Sequence, residues 1–524
     1  MSEARTAKIC VPVCVRGAKD LTSAASRASR AADIIELRLD CLEASELKRA
    51  QPALKSLLQH STGSFILTFR PAEQGGYRAL SNIERLGFWS ELLAGEHISQ
   101  HRTPIYTDLE LELALQFQSE KRAPDWRFVI CSHHDFTGLP ANLEQLYERM
   151  AATPAGILKI AVRADDVTDC IPLFRLLERA RREGREMIAL AMGQAGVATR
   201  ILGLSRGAFL TYGSLDEAQA TAPGQLTAAN LRELYRADRL NRQTAIMGLV
   251  GLPVSHSVSP QIHNRAFAVQ DLNAVYIPFE VHRLEEFVRR LVHPRSREVD
   301  WNLRGLSVTA PYKNAVIEHL DWIEPGALEI GAVNTIVVEE DVLKGYNTDA
   351  AAFVGPLEEK LGSLCGLRVA VIGAGGAASS ALWSLHSAGA DITLFARSRE
   401  RARPLAKKFE VHCEQLDKAQ FGNFDVVVNS TPVGTRGEKE NETPATSEQL
   451  RGARLVYDLI YNPCETRLMR EAKRAGCETL GGLSMLVEQA AEQFRLWTGQ
   501  PAPLEIMFNA AQSALGGARG PDKF

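Results

Sequence analysis

The chain has 524 residues, which is too long for one hydrophobic core, because cores stop growing near ~250–300 residues and longer chains divide into domains. Hydrophobic residues make up 45% and charged residues 23%, a balance that excludes a dominant disordered region. The formal net charge is -3 and Lys and Arg are spread along the chain, which argues against nucleic acid as a partner.

The N-terminal residues MSEARTAK are polar and lack the apolar core of a signal peptide, and no later segment has the length of a membrane span. We therefore expect a cytoplasmic protein without membrane association. The nine cysteines are scattered, with neither CxxC pairs nor histidines at zinc spacing. We interpret them as buried thiols in a reducing compartment and expect no structural metal.

Eight short β-rich runs recur between residues 8 and 213: KICVPVCV, IIELRLD, FILTFR, PIYTDLEL, RFVICSHHD, ILKIAV, EMIALAMG and FLTYG. Stretches that suit helices, such as ASELKRAQPALKSLLQH and DCIPLFRLLERARREG, lie between them. Eight strand–helix units in roughly 240 residues predict a (β/α)8 barrel, a TIM barrel, in which chemistry takes place at the C-terminal ends of the strands.

Polar residues stand near several of these predicted strand ends. In IIELRLD, strand alternation puts Glu36, Arg38 and Asp40 on one face, which we expect to point into the barrel. Lys159 is the only polar side chain in ILKIAV, where burial is expected to disfavour the charged ammonium and leave a more nucleophilic amine. Three more polar residues end or follow the third, fifth and seventh runs, namely Arg70, His134 and Arg200.

Each of these residues also has a structural explanation. Glu36 and Arg38 could form an ion pair, and His134 could be a core histidine. Together, on one rim of a barrel, they indicate an imine-forming enzyme that acts on an acidic substrate. Residue chemistry alone does not separate a dehydratase from a class I aldolase.

The ordered segments ELRLD, LTFRPAEQGG, SHHDF, ILKIAV, AMGQAGVATR and ATAPGQL resemble the motifs of type I 3-dehydroquinate dehydratase, across residues 8–235. The resemblance implies that Lys159 forms a Schiff base with the ketone of 3-dehydroquinate. It also implies that His134, rather than His133, is the general acid/base. This residue would remove the proton from the C–H bond next to the imine and return a proton to the departing hydroxyl. Substrate binding would fall to Glu36, Arg38, Arg70, Arg200, Thr221 and Gln225.

Three positions depart from that family's pattern. Gln74 stands where the family often has an acidic residue, and Glu73 lies one position earlier. Thr221 stands where serine is common and keeps the hydroxyl, while Pro12 replaces a serine of some relatives. The first departure leaves the role of that carboxylate open, and we expect the other two to preserve activity.

The polar junction LNRQT precedes the strand-like AIMGLVG and places a domain boundary near residue 242. Further on, RVAVIGAGGAASSALWSLHSAGA combines a hydrophobic strand, a glycine-rich turn and a helix. This is the dinucleotide-binding arrangement, with Gly373, Gly375 and Ala378 at the three small positions. A flexible turn is the alternative, but the flanking strand and helix favour pyrophosphate binding.

The next predicted strand, DITLFARSRERAR, lacks the acidic residue that would bind a ribose 2′-hydroxyl. Arg397, Ser398 and Arg401 stand there instead and favour the 2′-phosphate of NADP. Reduction of a ketone also needs a proton donor and a group that holds it. Lys313 in LSVTAPYK and Asp349 in GYNTD are the candidates, although Lys313 could equally be an exposed lysine at a helix start.

The segments VGLPVSHSVSPQIHN, LSVTAPYK, GAVNTI, YNTD, VIGAGGA, VVNSTPVG, YDLIYNP and GGLSMLVEQAA resemble shikimate dehydrogenase across about residues 245–515. The resemblance implies that Lys313 and Asp349 are the catalytic pair. It implies substrate contacts from Ser257, Ser259, Thr309, Asn334, Tyr461 and Gln489. The NADP contacts would be Gly373, Ala374, Gly375, Gly376, Ala377, Ala396, Arg397, Ser398, Arg401, Leu459 and Gly482. At Leu459 some relatives carry methionine.

The two resemblances predict three domains: a dehydratase barrel over residues 1–242, a substrate-binding domain over 243–350 completed by helices at about 487–515, and a Rossmann domain over 351–486. The product of the first reaction would be the substrate of the second, which is typical of bifunctional shikimate-pathway enzymes. Two alternatives remain. The second half could prefer quinate, although Ser257, Ser259 and Thr309 favour shikimate, or the chain could be a quinate-sensing regulator. Lys159 and an intact dinucleotide turn argue against the regulator.

Overall fold

The computed structural model describes residues 7–93, 103–119 and 124–516. Residues 1–6, which carry most of the segment used for the signal-peptide prediction, lie outside the described residues. Within the described ranges, every helix is too short or too polar to span a bilayer. The chain divides into two compact units, the first comprising Met1–Thr244, Ile277–Val292 and Ser296–Asn302, and the second Ala245–Tyr276, His293–Arg295 and Leu303–Phe524.

Eight parallel strands form the centre of the first unit. Strands β1 to β8 span Ile9–Val13, Ile34–Arg38, Ser64–Thr68, Ile105–Glu110, Val129–Asp135, Ile157–Arg163, Glu186–Met192 and Thr211–Tyr212. They pair in the order β7-β6-β5-β4-β3-β2-β1-β8. A parallel bridge between Met187 and Ala208 then connects β7 to the segment before β8. The predicted barrel is therefore confirmed as a nearly closed one.

Helices follow most of these strands, as the strand–helix rhythm predicts. They span Leu21–Ala28, Leu47–His60, Asn82–Leu93, Leu111–Gln118, Leu143–Ala151, Ile171–Arg182 and Val197–Leu202. The helix Ile171–Arg182 shows why they form: most of its apolar side chains are buried, while three of its four arginines occupy the last turn, where the helix dipole favours positive charge. After β8 the chain forms a short π-helical turn, Asn230–Leu234.

The barrel interior consists of an apolar layer below a polar one. Near the N-terminal ends of the strands the inner side chains are mostly aliphatic, including Cys10, Ile34, Ile66, Tyr106, Ile130 and Ile157. Two residues further along five strands, the buried inner positions are polar: Glu36, Thr68, Asp108, Ser132 and Lys159. Strand side chains alternate with period two, so residues two positions apart face the same side of the barrel wall. Each of these strands therefore contributes one inward residue to the apolar layer and the next inward residue to the polar layer. The polar layer lies on the side where barrel chemistry is expected.

Two further sheets follow the barrel in sequence. Strands β9 to β14 span Ala245–Gly251, Ala274–Glu280, Leu303–Val308, Trp322–Ile323, Thr335–Glu339 and Val342–Tyr346, in the mixed order β10-β9-β11-β13-β14-β12. Strands β15 to β20 span Arg368–Ile372, Asp391–Ala396, His412–Gln415, Val426–Asn429, Leu455–Asp458 and Glu478–Gly481. These six are parallel in the order β17-β16-β15-β18-β19-β20. This is the doubly wound order of a dinucleotide-binding fold, as predicted.

Helices accompany both of these sheets. They span Ser259–Val269, Leu284–Phe287, Pro325–Ile330, Asp349–Leu361, Gly376–Ser387, Arg399–Lys408, Ser447–Leu450, Arg467–Arg474, Leu483–Thr498 and Leu504–Gly516. The last two pack with the helix Ser259–Val269 in one apolar cluster that includes Phe267 and Phe494. The ring planes of these two phenylalanines are stacked, with centroids 5.5 Å apart.

The cysteines differ from the sequence prediction. Cys14 and Cys41 form a disulfide, and the free Cys365 and Cys464 are exposed. The remaining five free cysteines are buried, namely Cys10, Cys131, Cys170, Cys413 and Cys477. The prediction of buried thiols is therefore wrong at four positions. Cys14 and Cys41 follow neighbouring strands, whose ends bring the two Cα atoms to 5.4 Å across 27 residues of sequence.

Candidate active sites

A cavity lies at the C-terminal ends of the barrel strands. Its lining includes the eight barrel residues for which the sequence predicts a role: Glu36, Arg38, Arg70, His134, Lys159, Arg200, Thr221 and Gln225. Gln74, Phe136 and Tyr212 also line it. Residues that are up to about 190 positions apart in sequence thus share one space, although their individual roles remain predictions.

Lys159 lies at the base of this cavity among polar groups. Its Nζ is 2.9 Å from Asp108 Oδ2, 3.4 Å from Glu36 Oε1 and 2.8 Å from the hydroxyl of Tyr212. Lys159 is buried, as its aliphatic strand predicts, but the groups around its amine are polar and charged. Neighbouring inward positions of β2 and β4 carry the two carboxylates, so the amine is held between anionic groups.

Asp108 connects Lys159 to the rest of the site. It accepts hydrogen bonds from Arg70 Nη2 at 3.0 Å and from the Ser132 hydroxyl at 2.6 Å. Burial alone would raise the pKa of Asp108, but the neighbouring Arg70 and Lys159 cations lower that pKa to about 2. Asp108 is therefore a carboxylate at neutral pH.

Sequence reasoning missed both Asp108 and Tyr212. In TDLEL, Asp108 and Glu110 occupy alternate positions that point to one face, the same signal that identified Glu36 and Arg38. Tyr212 belongs to FLTYG, whose inward face is apolar elsewhere. An aromatic residue in that pattern carries no sign of a polar role, and only the neighbouring lysine reveals it.

Arg38 and Asp40 form a bidentate pair on the rim of the cavity. Asp40 accepts from Nε and Nη2 of Arg38 at 2.8 and 2.7 Å. Its buried carboxylate also accepts the backbone N–H groups of Arg70 and Tyr77 at 3.2 and 3.3 Å. Asp40 therefore orients Arg38, which lines the cavity.

Arg200 is a buried cation that has no ionic partner among the described residues. Its Nε makes no hydrogen bond within the described ranges, and burial lowers the pKa of Arg200 to about 10. A buried charge without a counter-ion is costly. Because Arg200 lines the cavity, a bound anion would relieve that cost. Beside it, the Thr221 backbone N–H donates to Gln225 Oε1 at 2.7 Å.

His134 contacts Arg70 and Gln74. Arg70 Nη1 lies 2.7 Å from Nδ1 of His134, and the His134 backbone N–H donates to Gln74 Oε1 at 3.0 Å. Burial, followed by the charges of Arg70, Lys159 and Arg38, lowers the pKa of His134 well below its usual value near 6.5. Burial also lowers the pKa of His133, which is not part of the cavity lining.

We expect the His134 imidazole to remain neutral as the pH falls from 7 through 6.5, because its charged form is disfavoured by burial and by three cations. The folded protein then binds fewer protons than the unfolded chain below pH 6.5, so this group makes stability fall with decreasing pH. An NMR titration of ring-labelled histidine, with His133→Asn to simplify assignment, measures this pKa. A His134 signal that titrates at or above 6.5 would contradict the expectation.

Lys313 and Asp349 form an ion pair in the second unit. Lys313 Nζ lies 2.6 Å from Asp349 Oδ2, and Asn334 Nδ2 donates to Asp349 Oδ1 at 2.8 Å. The Lys313 side chain is partly buried and paired, so the alternative of an exposed lysine at a helix start does not describe it. A Cβ added to Gly376 would lie 3.5 Å from Lys313 Cδ, so the lysine also borders the glycine-rich turn.

The other predicted substrate contacts come from several segments: Ser257, Ser259 and Thr309 follow β9 and β11, Tyr461 follows β19, and Gln489 lies in the helix Leu483–Thr498. The Ser257 hydroxyl donates to the Ser259 hydroxyl at 3.1 Å. Thr309 packs so closely on Gly251 that a Cβ there would lie 2.3 Å from Thr309 Cγ2. Tyr461 packs against the apolar cluster around Phe494, and the Gln489 amide donates to the Leu486 carbonyl within its own helix.

The glycine-rich turn has the shape that a dinucleotide requires. Gly373 has φ of 116°, and a Cβ there would lie 2.6 Å from Ser430 Oγ. At Gly375 an added Cβ would meet nothing within 4 Å, which leaves space in front of the helix Gly376–Ser387. The free N–H groups at such a helix start attract a pyrophosphate. Ala374 and Ala377 complete the turn.

Residues after β16 suit the 2′-phosphate. Arg397 and Arg401 are exposed, and neither guanidinium pairs with an acidic residue in the described ranges. Ser398 caps the following helix by accepting from the Arg401 backbone N–H at 3.4 Å. Across the fold, Gly482 packs on Leu459, whose carbonyl oxygen would lie 2.2 Å from an added Cβ. The residues present therefore fit NADP.

Protein-family models match most of the chain. Residues 9–242 match type I 3-dehydroquinase. Residues 249–336 match the substrate-binding domain of shikimate dehydrogenase, residues 357–460 match shikimate / quinate 5-dehydrogenase, and residues 482–512 match the C-terminal domain of shikimate 5′-dehydrogenase.

Curated relatives cover one or both halves. The chloroplastic bifunctional 3-dehydroquinate dehydratase/shikimate dehydrogenase of Arabidopsis thaliana is 34% identical over 95% of this chain and 83% of its own length. The NADP(+) shikimate dehydrogenase of Moorella thermoacetica is 38% identical over 54% of this chain and 97% of its own.

Solved structures are also similar to parts or most of this chain. A Thermus thermophilus shikimate 5-dehydrogenase in complex with NADP(H) and shikimate is 36% identical, covers 52% of this chain and all 100% of its own, and has a TM-score of 0.46. A dehydroquinate dehydratase and shikimate dehydrogenase from S. pombe is 24% identical, covers 97% of this chain and 98% of its own, and has a TM-score of 0.42.

Proposed function

Because this chain belongs to the family of bifunctional 3-dehydroquinate dehydratase/shikimate dehydrogenases, we propose that its barrel converts 3-dehydroquinate to 3-dehydroshikimate and its second unit reduces that product to shikimate with NADPH. The protein is a lyase and an NADP-dependent oxidoreductase of the shikimate pathway. The observation that carries the barrel assignment is one cavity that holds a buried lysine and a buried Arg200 without an ionic partner in the described part of the chain.

In the dehydratase, the Lys159 amine condenses with the substrate ketone, releasing water, and the resulting iminium ion acidifies the adjacent C–H bond. His134 takes that proton and delivers a proton to the departing hydroxyl, so water leaves. After elimination, a water molecule hydrolyses the iminium, which frees 3-dehydroshikimate and restores the lysine. Arg200 binds the substrate carboxylate, which gives its buried charge a partner. Glu36, Arg38, Arg70, Thr221 and Gln225 contact the remaining polar groups of the substrate.

Gln74 has a positioning role in this scheme. Its amide oxygen accepts the backbone N–H of His134, which fixes the end of β5 without placing a negative charge beside the imidazole. Because position 74 carries no carboxylate, no negative charge there offsets the neighbouring cations, which lower the pKa of His134. The departure from the family pattern therefore favours a neutral imidazole.

In the dehydrogenase, Lys313 donates a proton to the oxygen of the reduced carbonyl, and Asp349 holds the ammonium in place. Asn334 fixes Asp349 through the opposite carboxylate oxygen. Ser257, Ser259, Thr309, Tyr461 and Gln489 contact the substrate. Bound NADPH supplies the hydride, and the turn from Gly373 to Ala377, with Ala396, Leu459 and Gly482, holds the dinucleotide.

Arg397→Ala should weaken NADPH binding while leaving NADH binding nearly unchanged, because only NADPH carries the 2′-phosphate. We expect KM for NADPH to rise by about 10- to 100-fold, the range for losing a charged hydrogen bond. Steady-state constants for both cofactors test this, with the exposed Arg403→Ala from the following helix as control. A wild-type preference for NADH would contradict the 2′-phosphate assignment.

We also propose the domain boundaries 1–242, 243–350 with helices at about 487–515, and 351–486. The sheets support this division, since β1–β8, β9–β14 and β15–β20 form separate sheets. With these boundaries, all the proposed dehydratase residues lie in the barrel, and all the proposed dehydrogenase residues lie in the two later domains. A cytoplasmic location remains a further proposal, supported by seven free cysteines and tested by cell fractionation.

The two activities are tested together by adding 3-dehydroquinate and NADPH to the purified protein, without any other enzyme. We expect NADPH to be consumed, because the barrel makes the substrate of the second site. Supplying 3-dehydroshikimate directly tests the second site alone. If neither compound causes NADPH to be consumed, the dehydrogenase assignment is contradicted. If only 3-dehydroshikimate does, the dehydratase assignment is contradicted.

A further inference from the structure

The disulfide Cys14–Cys41 lies at the C-terminal side of the barrel, where the cavity is. Cys14 directly follows β1, and Cys41 ends the short turn Leu39–Cys41 after β2. Cys14 is exposed and Cys41 is half-buried, so external thiols can reach this bond. The other three cysteines of the barrel, Cys10, Cys131 and Cys170, are buried. The pair Cys14 and Cys41 is therefore the reactive sulfur site of the barrel.

The disulfide is covalently adjacent to a residue that organises the cavity. Asp40 immediately precedes Cys41 and holds Arg38 through two hydrogen bonds. The same carboxylate accepts the backbone N–H groups of Arg70 and Tyr77, so it also ties the segment after β3 to the rim. Fixing the backbone at Cys41 therefore fixes the placement of Arg38 and Arg70 at the cavity.

Other contacts would keep the barrel folded after reduction. The Glu43 backbone N–H donates to the Arg16 carbonyl at 2.8 Å, and the Ala18 backbone N–H donates to Glu46 Oε2 at 3.1 Å. These bonds join the same two segments beyond the disulfide. Breaking the sulfur bond should therefore loosen the rim locally without unfolding it.

We propose that Cys14 and Cys41 form a thiol–disulfide exchange site, served by low-molecular-weight thiols and disulfides, that regulates substrate binding in the dehydratase barrel. The proposal rests on the dehydratase function proposed above. In the oxidising direction, one cysteine thiolate attacks a small disulfide and expels one thiolate, and the second cysteine then attacks the mixed disulfide and expels the other. The two cysteines are oxidised, the small disulfide is reduced to two thiols, and the two cysteine protons pass to the expelled thiolates.

The oxidised protein should bind 3-dehydroquinate more tightly than the reduced protein. Reduction frees the Asp40 segment, so Arg38 is held less firmly in its binding position. We expect KM for 3-dehydroquinate to rise about five- to tenfold on reduction, as for partial loss of a charged hydrogen bond. The effect on KM should exceed the effect on kcat, because Asp40 holds the side chain of Arg38 but only the backbone N–H of Arg70, whose guanidinium makes the contact with His134.

The test equilibrates the full-length protein with reduced or oxidised dithiothreitol, then maps the cysteines by alkylation and mass spectrometry. Dehydration of 3-dehydroquinate is measured in both states, and NADP+-dependent oxidation of shikimate serves as the internal control. The Cys14→Ser variant should show the reduced-state KM in both buffers. The matched Cys365→Ser variant, at an exposed cysteine of the second unit, should keep the wild-type response.

Hydrogen exchange at the Arg70 and Tyr77 amides gives a readout that does not depend on activity. Both amides donate to Asp40, so their exchange should accelerate on reduction of the wild type but not of Cys14→Ser. The proposal is overturned if oxidation yields no Cys14–Cys41 link, if KM is the same in both states, or if Cys14→Ser responds like the wild type. Loss of dehydration in both states would instead refute the proposed function, and amide exchange would still decide whether the disulfide controls Asp40.

Discussion

Lys159→Ala is expected to lower the dehydratase kcat by about 10⁶-fold, the scale observed when a catalytic nucleophile is removed. The amine at the base of the cavity is the group placed to form an imine, and its carboxylate neighbours cannot replace it. Oxidation of shikimate by the second site should be unchanged, since Lys159 belongs to the barrel.

Borohydride reduction in the presence of 3-dehydroquinate provides the direct measurement. It should trap a covalent adduct, detectable by intact mass, on the peptide that contains Lys159, and the variant should give none. Lys55→Ala is the matched control, because Lys55 is an exposed lysine of the barrel helix Leu47–His60. An adduct on another lysine, or dehydration that proceeds without any adduct, would refute the imine mechanism.

Lys313→Ala should lower the dehydrogenase kcat by about 10²- to 10⁴-fold, the usual contribution of general acid/base catalysis. The ion pair of 2.6 Å with Asp349 places this ammonium as the proton donor, so the loss should fall on kcat more than on KM. Lys418→Ala, at an exposed lysine of the same unit, is the control. Equal damage to both variants would show that a general loss of positive charge, rather than a proton donor, is responsible.

Mixing the two variants tests the domain proposal. Lys159→Ala retains the second site and Lys313→Ala retains the first, so the mixture should consume NADPH when given 3-dehydroquinate. Each variant alone should not. A mixture that remains inactive, although each variant keeps its other activity, would mean that the two reactions need one intact chain.

The sequence predicts the barrel well because strand alternation is a local property. IIELRLD and ILKIAV show their inward positions without any knowledge of their neighbours, and all eight runs become strands. The same holds for the turn at Gly373, whose flanking strand and helix are contiguous in sequence. Local patterns of this kind indicate where functional residues lie, and the cavity lining agrees with that placement.

Contacts between distant strands could not be predicted in the same way. The proximity of Lys159 to Asp108 and Tyr212 depends on how the strands align when the barrel closes, and a strand pattern does not determine that alignment. The Cys14–Cys41 bond is a similar case, because scattered cysteines give no indication of a pair. The sequence identifies most of the polar groups that line the cavity, whereas the structure adds Asp108 and Tyr212 and determines which groups interact.

The hydrogen bond between Arg70 and His134 determines which ring nitrogen carries the proton before substrate arrives. A guanidinium can only donate, so Nδ1 of His134 must be the acceptor at 2.7 Å, and a neutral ring then carries its hydrogen on Nε2. In this resting form the ring has no free lone pair and cannot act as a base. In the proposed mechanism, a substrate carboxylate or hydroxyl that draws Arg70 away would expose Nδ1, so proton abstraction would begin only once the cavity is filled.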